Sequence, residues 1–366
     1  MAFVRIRRLK ILQISSASSF GGGERYVADL TNSLTARGHD VYVAVRPNSP
    51  LPRHLQLPAE RVLTLPLRNA LDVPSAYELE RFVRRQRIDV VHAHMARDYS
   101  LASYAARRNR GTKFIATRHV LFQLNRLHRH TLARATRVIA VSGAVARELR
   151  AQRILRDEQI ALIPNGVDVD RFNRACVEKH RGLLVGSIGE LRTLKRHDDF
   201  IRAAARVASR SPETQFVLAG VDASALGEVR KQLEGLVVDL GLSDRFRFLG
   251  WVEDAEKLLC EMDVFVSASE TESFGLAIVE AMAAETAVVA TATEGAQEVI
   301  DDQKTGLLVP IGDVDRIAGA VTELLANPQK RREMAVRAKE VANTRFSLKR
   351  MVDEIERIYL TADDAD

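Results

Sequence analysis

The sequence predicts an α/β protein made of two doubly wound halves, and three observations predict it. The chain has 366 residues, more than a single hydrophobic core usually serves. Apolar runs of strand length alternate with helix-length segments from the start. The alternation then begins again near Leu183. Such alternation favours parallel sheets that helices cover on both faces.

The first half ends in a turn. Its predicted strands are 9–14, 41–45, 62–65, 90–93, 114–117 and 138–141, and its named helices are 24–37 and 75–85. In the turn at 163–168, Pro164 removes a hydrogen-bond donor and Asn165-Gly166 favours positive φ. We therefore assign 1–172 to the N-terminal domain and 173–345 to the C-terminal domain.

The second half repeats the pattern. Its predicted strands are 183–188, 215–219, 246–249, 263–267, 288–290 and 306–309, and its helices are 198–209, 225–239 and 255–261. A last helix at 347–360 carries Met351, Ile355 and Ile358 on one side. This helix is long enough for segment 346–366 to cross back onto the first domain.

Composition excludes several classes of protein. With 46% hydrophobic and 28% charged residues, the chain is typical of globular proteins. No apolar run approaches the roughly 18 residues that span a bilayer, and the N-terminus lacks a signal-peptide pattern. We therefore expect a cytoplasmic protein. Cys176 and Cys260 show no metal-ligand spacing, so no metal site is predicted.

Positive charge is concentrated in the N-terminal half. The net charge is +6, but residues 1–180 hold 31 Lys and Arg against 15 Asp and Glu. Residues 107–156 alone hold 13 Lys and Arg and a single acid, Glu148. Such a face favours an anionic partner. Nucleic acid is a poorer candidate because one Trp and no aromatic stacking surface accompany the charge.

Two carboxylates flank a predicted turn from a strand into a helix. Glu272 precedes the turn, Ser273 to Gly275 form it, and Glu280 lies more than one turn inside the Ala-rich helix. The first N–H groups of a helix attract phosphate. We expect Glu272 to reach a sugar hydroxyl and Glu280 to be placed for a ribose. Each Glu alone is more often a solvated surface residue.

Two further loops follow strands, where doubly wound sheets bind ligands. The first contains Gly21-Gly22-Gly23-Glu24, but Tyr26 stands where a dinucleotide fingerprint has its third glycine. The second strand also ends in Val45-Arg46-Pro47, without an acid for a ribose, which disfavours a nicotinamide dehydrogenase. The other loop carries Lys195, whose position favours contact with phosphate, while a solvated surface role is the usual case for a single Lys.

Histidines follow two strands of the first half. His92 and His94 flank Ala93 after Val90-Val91, and His119 follows the next strand. With no third ligand evident, a paired metal site is not expected. One ring of the His92/His94 pair is expected to pack inside while the other faces the ligand-binding edge. For His119, a structural role is at least as well supported as a functional one.

Together these residues resemble the retaining glycosyltransferases of family 4, which have the GT-B fold of two Rossmann-like domains facing across a cleft. The resemblance covers nearly the whole chain. Its motifs, in chain order, are Gly21-Gly22-Gly23-Glu24, His92-Ala93-His94, Val141-Ser142, Ile163-Pro164-Asn165-Gly166-Val167-Asp168, Gly189 to Lys195, the Glu272 and Glu280 pair, and Glu298-Val299-Ile300. Singly these motifs are weak, but in this order they are specific.

The resemblance implies roles for individual residues. A nucleotide-diphosphate sugar would bind mainly the C-terminal domain and the acceptor the N-terminal one. His94, Lys195 and Glu272 would be catalytic. The donor-binding set would be Gly22, Gly23, Lys195, Trp251, Val252, Glu272, Phe274, Gly275, Leu276 and Glu280. No metal or cofactor is implied beyond the nucleotide sugar as co-substrate.

Two departures from the family pattern stand out. Glu190 occupies the place of an Arg that supports the diphosphate, and Arg192 or Arg196 is expected to substitute for it. Glu285 and Ala287 replace a common Gly and Pro, a change expected to affect packing more than chemistry.

The implied activity is metal-independent, retaining transfer of a hexose to a hydroxyl of a glycan or glycolipid acceptor. Cell-envelope polysaccharide or lipopolysaccharide synthesis is the expected setting, with peripheral contact at the inner face of the cell membrane through 121–129. An ordinary basic helix over the core remains an alternative for that segment. A nucleotide-sugar epimerase and a non-catalytic, membrane-associated sugar-binding protein remain alternatives for the function.

Overall fold

The computed structural model describes residues 7–175, 182–222, 224 and 226–361. The chain divides into two compact units. The first runs to Gly166 and includes the chain from Leu348 onward, and the second is Val167–Ser347. A boundary after residue 172, as the sequence suggested, would cut through the helix Val169–Ala175.

In the described residues of the first unit, seven parallel strands form one sheet. They are β1 (Lys10–Ser15), β2 (Asp40–Val45), β3 (Val62–Thr64), β4 (Val90–Ala93), β5 (Lys113–Arg118), β6 (Arg137–Ala140) and β7 (Ile160–Leu162), in the order β3-β2-β1-β4-β5-β6-β7. Helices α1 (Gly22–Ala36), α2 (Val73–Gln86), α3 (Tyr99–Arg107), α4 (Arg126–Leu132) and α5 (Gly143–Ala151) connect them. The short strand β7 was not predicted from the sequence.

The second unit has the same winding. Its described strands are β8 (Leu184–Ile188), β9 (Gln215–Ala219), β10 (Phe246–Gly250), β11 (Val264–Ser267), β12 (Ala287–Thr291) and β13 (Leu307–Val309), in the order β10-β9-β8-β11-β12-β13. Its helices are α6 (Val169–Ala175), α7 (His197–Arg210), α8 (Glu228–Asp239), α9 (Ala255–Glu261), α10 (Leu276–Ala283), α11 (Glu294–Val299), α12 (Val314–Ala326) and α13 (Pro328–Arg345). The predicted helix 225–239 begins at Glu228, and Ala225 lies outside the described residues.

The central strands of both sheets are buried on both faces, which explains their near-continuous apolar sequences. In β1, Ile11, Leu12 and Ile14 have no exposed surface, and in β12 all five residues are buried. Each unit has its own hydrophobic cluster, centred on β1, β2 and α1 in the first and on β8, β9, α7 and α12 in the second.

The last helix, α14 (Leu348–Thr361), belongs to the first unit. Arg37, after the C-terminus of α1, pairs with Glu356 at 2.5 Å and with Asp353 at 2.6 Å. His39 accepts the Leu9 N–H at Nδ1 and contacts Glu356 through Nε2 at 2.7 Å. Met351, Ile355 and Tyr359 are fully buried. Apolar packing and ion pairs therefore hold α14 against α1, and Ile358, expected on the same face, is only partly buried.

Candidate active site

In each unit, the predicted catalytic residues lie where the strand order reverses. The reversal falls between β1 and β4 in the first sheet and between β8 and β11 in the second. Two neighbouring parallel strands there send their chains to opposite faces, which leaves a crevice at their carboxyl ends. His94 follows β4, Lys195 lies in the loop after β8, and Glu272 lies in the loop after β11.

The structure brings Lys195 and Glu272 into contact. Nζ of Lys195 donates to Oε1 of Glu272 at 2.6 Å, and the hydroxyl of Ser269 donates to the same oxygen at 2.8 Å. The side chains are 29% and 16% exposed, so solvent can still reach the pair. A backbone hydrogen bond from the Glu270 N–H to the Leu194 carbonyl, 2.9 Å, ties the two loops together.

A glycine contacts the backbone of the Glu272 loop closely and donates a hydrogen bond to it. Gly295, in the first turn of α11, donates its N–H to the Glu272 carbonyl at 3.0 Å. A Cβ at position 295 would lie 2.6 Å from that carbonyl oxygen and 2.6 Å from the Phe274 nitrogen. Thr291 also donates its hydroxyl to the Ser269 carbonyl at 2.5 Å. The loop conformation therefore depends on the neighbouring strand and helix.

Helix α10 begins directly after this loop, as predicted. Gly275 is its N-cap, with φ of 91° and ψ of 53°, a left-handed conformation that favours glycine. Among the described residues, the N–H groups of Phe274, Gly275 and Leu276 donate to no acceptor. They therefore supply the donors that an anion at a helix start requires. The Phe274 ring is buried beside Phe346, at 5.6 Å between centroids.

Glu280 is held inside the protein. It lies in the middle of α10, and only 8% of the residue is exposed. Of the two predicted carboxylates, Glu272 is therefore the more accessible.

The loop from Gly189 to His197 is fixed mainly by its own backbone. The Gly189 N–H donates to the carbonyl of Ala219 at the end of β9, and the Leu191 N–H donates to the Val221 carbonyl just after it, both at 2.9 Å. Glu190 pairs with Arg192 at 2.9 Å, whereas Arg196 pairs with Asp199 at 2.6 Å. Of the two expected substitutes for the family arginine, Arg192 thus neutralises Glu190 directly, and Arg196 is engaged by its own helix.

Trp251 and Val252 follow β10 at the same edge of the second sheet. Trp251 is 46% exposed, and Gly250 before it adopts a φ of 65°. The Gly220 N–H donates to the Gly250 carbonyl at 2.8 Å, which links the ends of β9 and β10. The exposed indole is therefore carried on a fixed turn.

In the first unit, His94 lies in a buried polar cluster. Its Nε2 lies 2.7 Å from the Gln13 amide oxygen, and its Nδ1 has no hydrogen-bond partner in the described residues. The ring contacts His92 at 4.2 Å between centroids. Burial and the neighbouring His92 and His119 rings hold the pKa of His94 well below 6.5, so the imidazole is neutral at pH 7.

His92 and His119 take different places around His94. His92 is fully buried, with Nδ1 2.6 Å from the Tyr359 hydroxyl and Nε2 2.7 Å from the Thr117 hydroxyl. Burial lowers the pKa of His92 to about 3 and that of His119 to about 4. Both rings of the His92/His94 pair are therefore buried, whereas one was expected to face the ligand-binding edge, and His92 has a partner on each ring nitrogen.

Helix α1 begins with glycines, and a glutamate in its first turn accepts the backbone N–H that precedes them. Gly22 and Gly23 form the first turn of the helix, and the Glu24 carboxylate accepts the Gly21 N–H at 3.1 Å. Ser16, which precedes these glycines in the chain, donates its N–H to the carboxylate of Asp98 at 2.9 Å, and Asp98 is fully buried. Burial raises the pKa of Asp98 to about 7.

Sequence reasoning missed Asp98, Ser269 and Gly295, since the sequence does not show which loops touch.

Two family models cover most of the chain. Residues 20–171 match the glycosyltransferase family 4 model and residues 169–341 match glycosyl transferases group 1. The lipopolysaccharide core biosynthesis glycosyltransferase LpsE of Rhizobium meliloti (strain 1021) is 30% identical over 91% of this chain and 94% of its own. This chain is a family 4 glycosyltransferase.

Other relatives of this glycosyltransferase act on different molecules, as their names state. The phosphatidyl-myo-inositol mannosyltransferase of Mycolicibacterium smegmatis is 30% identical over 94% of this chain and 91% of its own. The N-acetyl-alpha-D-glucosaminyl L-malate synthase of Bacillus anthracis is 27% identical over 96% of this chain and 97% of its own.

Solved structures confirm the fold of the glycosyltransferase. A glycosyltransferase from Rickettsia africae ESF-5 superimposes with a TM-score of 0.86 at 21% identity, covering 98% of this chain and 100% of that one. Anabaena Alr3699/HepE in complex with UDP and glucose gives 0.83 at 21% identity, covering 97% and 100%. The predicted GT-B architecture is thereby confirmed. No helix in the described part of the chain is long and apolar enough to cross a membrane.

Proposed function

We propose that this glycosyltransferase moves a hexose, with retention of configuration, from a nucleotide-diphosphate sugar to a hydroxyl of a glycan or glycolipid. The contact between Lys195 and Glu272 beside the start of α10 carries the proposal. The loop after β8 supplies a cation, and the loop after β11 supplies a carboxylate and three unpaired backbone N–H groups. This set suits a diphosphate joined to a polyhydroxylated ring.

The chemistry follows from the charges. As the bond from sugar to phosphate breaks, negative charge grows on the diphosphate, and Lys195 with the N–H groups of Phe274 to Leu276 would stabilise it. Glu272 would hold a sugar hydroxyl, and Glu280 the ribose. The departing phosphate oxygen can take the acceptor's proton, so the proposal needs no strong protein base and no metal ion.

Roles for the remaining residues are part of the same proposal. Trp251 and Val252 would lie along the base, since they follow β10 at the carboxyl edge of the second sheet. Gly22 and Gly23 would approach the phosphates with bare backbone. His94 would contact the transferred sugar, and the first unit would bind the acceptor.

The relatives support an acceptor from the cell envelope. One is named for lipopolysaccharide core biosynthesis and another for a phosphatidyl-inositol. The basic N-terminal half of this chain is consistent with such an anionic acceptor. We therefore propose lipopolysaccharide or polysaccharide synthesis, carried out in the cytoplasm at the inner face of the membrane.

The segment proposed to meet the membrane is smaller than the sequence suggested. Phe122 is 62% exposed, but Leu124 is only 8% exposed and packs inside. Arg129 donates to the Gln152 carbonyl at 2.9 Å, whereas Arg126 is exposed at the start of α4. Phe122 and Arg126 are therefore the exposed apolar and cationic groups proposed for an anionic lipid surface, while Leu121 and Leu127 are half-buried.

A donor screen tests the function. Purified protein is incubated with a panel of nucleotide-diphosphate sugars, with and without crude lipid and lipopolysaccharide acceptors, and nucleotide diphosphate release is followed. We expect release that depends on acceptor, and a product in which the anomeric configuration is retained. Conversion of the sugar in donor alone would indicate the epimerase, and binding without turnover of any donor would indicate the sugar-binding protein.

A further inference from the structure

We propose that Gln13 and Tyr359 are positioning residues that fix which nitrogen of His94 carries the proton. This inference rests on the proposed function only for its consequence, the hydrogen bond that His94 offers a sugar. The observation behind it is a continuous hydrogen-bonded chain inside the first unit. It joins β1, β4, β5 and the C-terminal helix α14.

The chain has four links. His94 Nε2 contacts the Gln13 amide oxygen at 2.7 Å, and the Gln13 amide nitrogen donates to the Tyr359 hydroxyl at 3.4 Å. That hydroxyl lies 2.6 Å from His92 Nδ1, and His92 Nε2 lies 2.7 Å from the Thr117 hydroxyl. Gln13, His92, Thr117 and Tyr359 have no exposed surface. Water therefore cannot substitute for any of these partners.

With the Gln13 amide oriented as in the structure, matching donors to acceptors assigns a proton position to each group in the network. The Gln13 oxygen can only accept, so His94 must donate from Nε2. The Gln13 nitrogen can only donate, so the Tyr359 oxygen accepts from it, and the Tyr359 O–H donates to His92 Nδ1. His92 then donates from Nε2 to Thr117. Both histidines are neutral at pH 7, because burial lowers their pKa values.

The same hydrogen bonds could also form with donor and acceptor exchanged in every one of them. If the Gln13 amide were rotated, His94 Nε2 would accept, His92 would donate from Nδ1 to Tyr359, and Thr117 would donate to His92. The two histidines therefore change tautomer together or not at all. Tyr359 is the group through which they are linked.

The Tyr359 hydroxyl is held in position because other contacts anchor α14. Arg37 binds both Glu356 and Asp353 on this helix, and His39 binds Glu356 as well. These contacts lie within a turn or two of Tyr359 along the helix. Loss of the hydroxyl therefore need not displace the helix.

The consequence concerns the other nitrogen of His94. With the proton on Nε2, Nδ1 keeps a lone pair, and it has no partner among the described residues. Nδ1 is itself buried, so under the proposed function the transferred sugar would have to bring a hydroxyl up to it, and a hydroxyl is the matching donor. In the other tautomer, Nδ1–H would face that hydroxyl as a second donor.

Imidazole nitrogen spectra test the positioning without any substrate. Protein containing isotopically labelled histidine is compared as wild type, Tyr359→Phe, Gln13→Met and Tyr99→Phe, with His92→Asn and His94→Asn used to assign signals among the nine histidines. Tyr99 is the matched control, since its buried hydroxyl donates to the backbone carbonyl of Thr117 at 2.9 Å and bonds to none of the side chains that link the two histidines.

We expect wild type and Tyr99→Phe to show His92 and His94 as Nε2–H tautomers. Tyr359→Phe and Gln13→Met should each give a mixture of tautomers at His94. A single unchanged His94 tautomer in both variants would overturn the proposal, as would an Nδ1–H form in wild type. If the His94 tautomer changed in Gln13→Met but not in Tyr359→Phe, the positioning role proposed for Tyr359 of α14 would be overturned. Gln13→Met also serves if Tyr359→Phe does not fold.

Transfer kinetics give a separate readout. Once a donor is known, Tyr359→Phe should lower kcat/KM about tenfold, comparable to losing one hydrogen bond. Absence of turnover in wild type would count against the proposed function and leave the nitrogen spectra decisive for the positioning. Tautomer mixing with kcat/KM unchanged would instead overturn the role assigned to His94 Nδ1.

Discussion

The ammonium of Lys195 lies 2.6 Å from the carboxylate of Glu272, although 77 positions separate the two residues in the chain. The loops that carry them follow β8 and β11, which are paired neighbours in the second sheet. Ser269 adds a second hydrogen bond to the same carboxylate oxygen. A bound diphosphate would compete with Glu272 for the ammonium, so the ion pair holds the cation in place before the donor arrives.

Lys195→Ala should lower the rate of sugar transfer several hundredfold, a loss of roughly 3 to 4 kcal/mol in transition-state stabilisation. Steady-state kinetics with a donor from the screen provide the measurement. Lys339→Ala is the control, since Lys339 is similarly half-buried and pairs with Glu285 at 3.3 Å on a different face. Near-normal turnover in Lys195→Ala would contradict the proposed role.

Glu272→Ala should also lower transfer by several hundredfold, again roughly 3 to 4 kcal/mol. Combining it with Lys195→Ala should cost less than the two separate losses together, because the residues form one hydrogen-bonded pair. The double-variant cycle on kcat/KM measures that coupling. Fully additive losses would mean that the two side chains act independently.

Gly295→Ala should displace the Glu272 loop, because the new Cβ would lie 2.6 Å from two backbone atoms. We expect a loss of about 1 to 3 kcal/mol in the free energy of unfolding, together with reduced transfer. Gly319→Ala is the matched control in α12, where a Cβ meets nothing within 4 Å. That change should stabilise the protein by about 0.5 to 1 kcal/mol. Equal behaviour of the two variants would refute the contact.

Asp98→Asn should change how stability depends on pH. Burial raises the pKa of Asp98 to about 7, so between its ordinary value of 3.8 and 7 the folded protein holds a proton that the unfolded chain has released. Its contribution to stability is therefore complete at low pH and falls by at most about 1.4 kcal/mol per unit as pH rises to 7.

Denaturant unfolding at pH 5 and pH 8 checks this prediction. Relative to wild type, Asp98→Asn should gain stability as pH rises, because the amide carries no charge to bury. His92 and His119 contribute with the opposite sign, since burial lowers their pKa values to about 3 and 4. Their effect cancels in the difference between the two proteins. A constant difference at both pH values would exclude a raised pKa at Asp98.

Phe122→Ser combined with Arg126→Gln should abolish binding to vesicles that contain phosphatidylglycerol. Sedimentation at low and high salt is the measurement, because added salt screens the attraction between arginine and anionic lipid. Arg332→Gln, on α13 of the second unit, is the control for charge alone. If the wild-type protein did not bind these vesicles at low salt, the proposed membrane contact would be refuted.

The alternation of apolar strands and helices determined the fold class, because a parallel sheet buried on both faces requires apolar strands. It placed nearly every strand within a residue or two. The exception, β7, is a three-residue strand at the sheet edge with the exposed Leu162, so it has little apolar pattern to detect. The turn around Gly275 was also predictable, since a strand followed by glycine and an Ala-rich helix is a local signal.

By itself, the sequence determined which residues follow strands and which residue begins α10, since both depend on neighbours in the chain. Tertiary structure alone decided that β8 lies beside β11, and so that Lys195 meets Glu272. It likewise brought Tyr359 to Gln13, 346 positions away. Hydrogen bonds between side chains that are far apart in the chain depend on strand order and helix docking. Many different sequences share the same strand order and docking, so no local sequence pattern predicts these bonds.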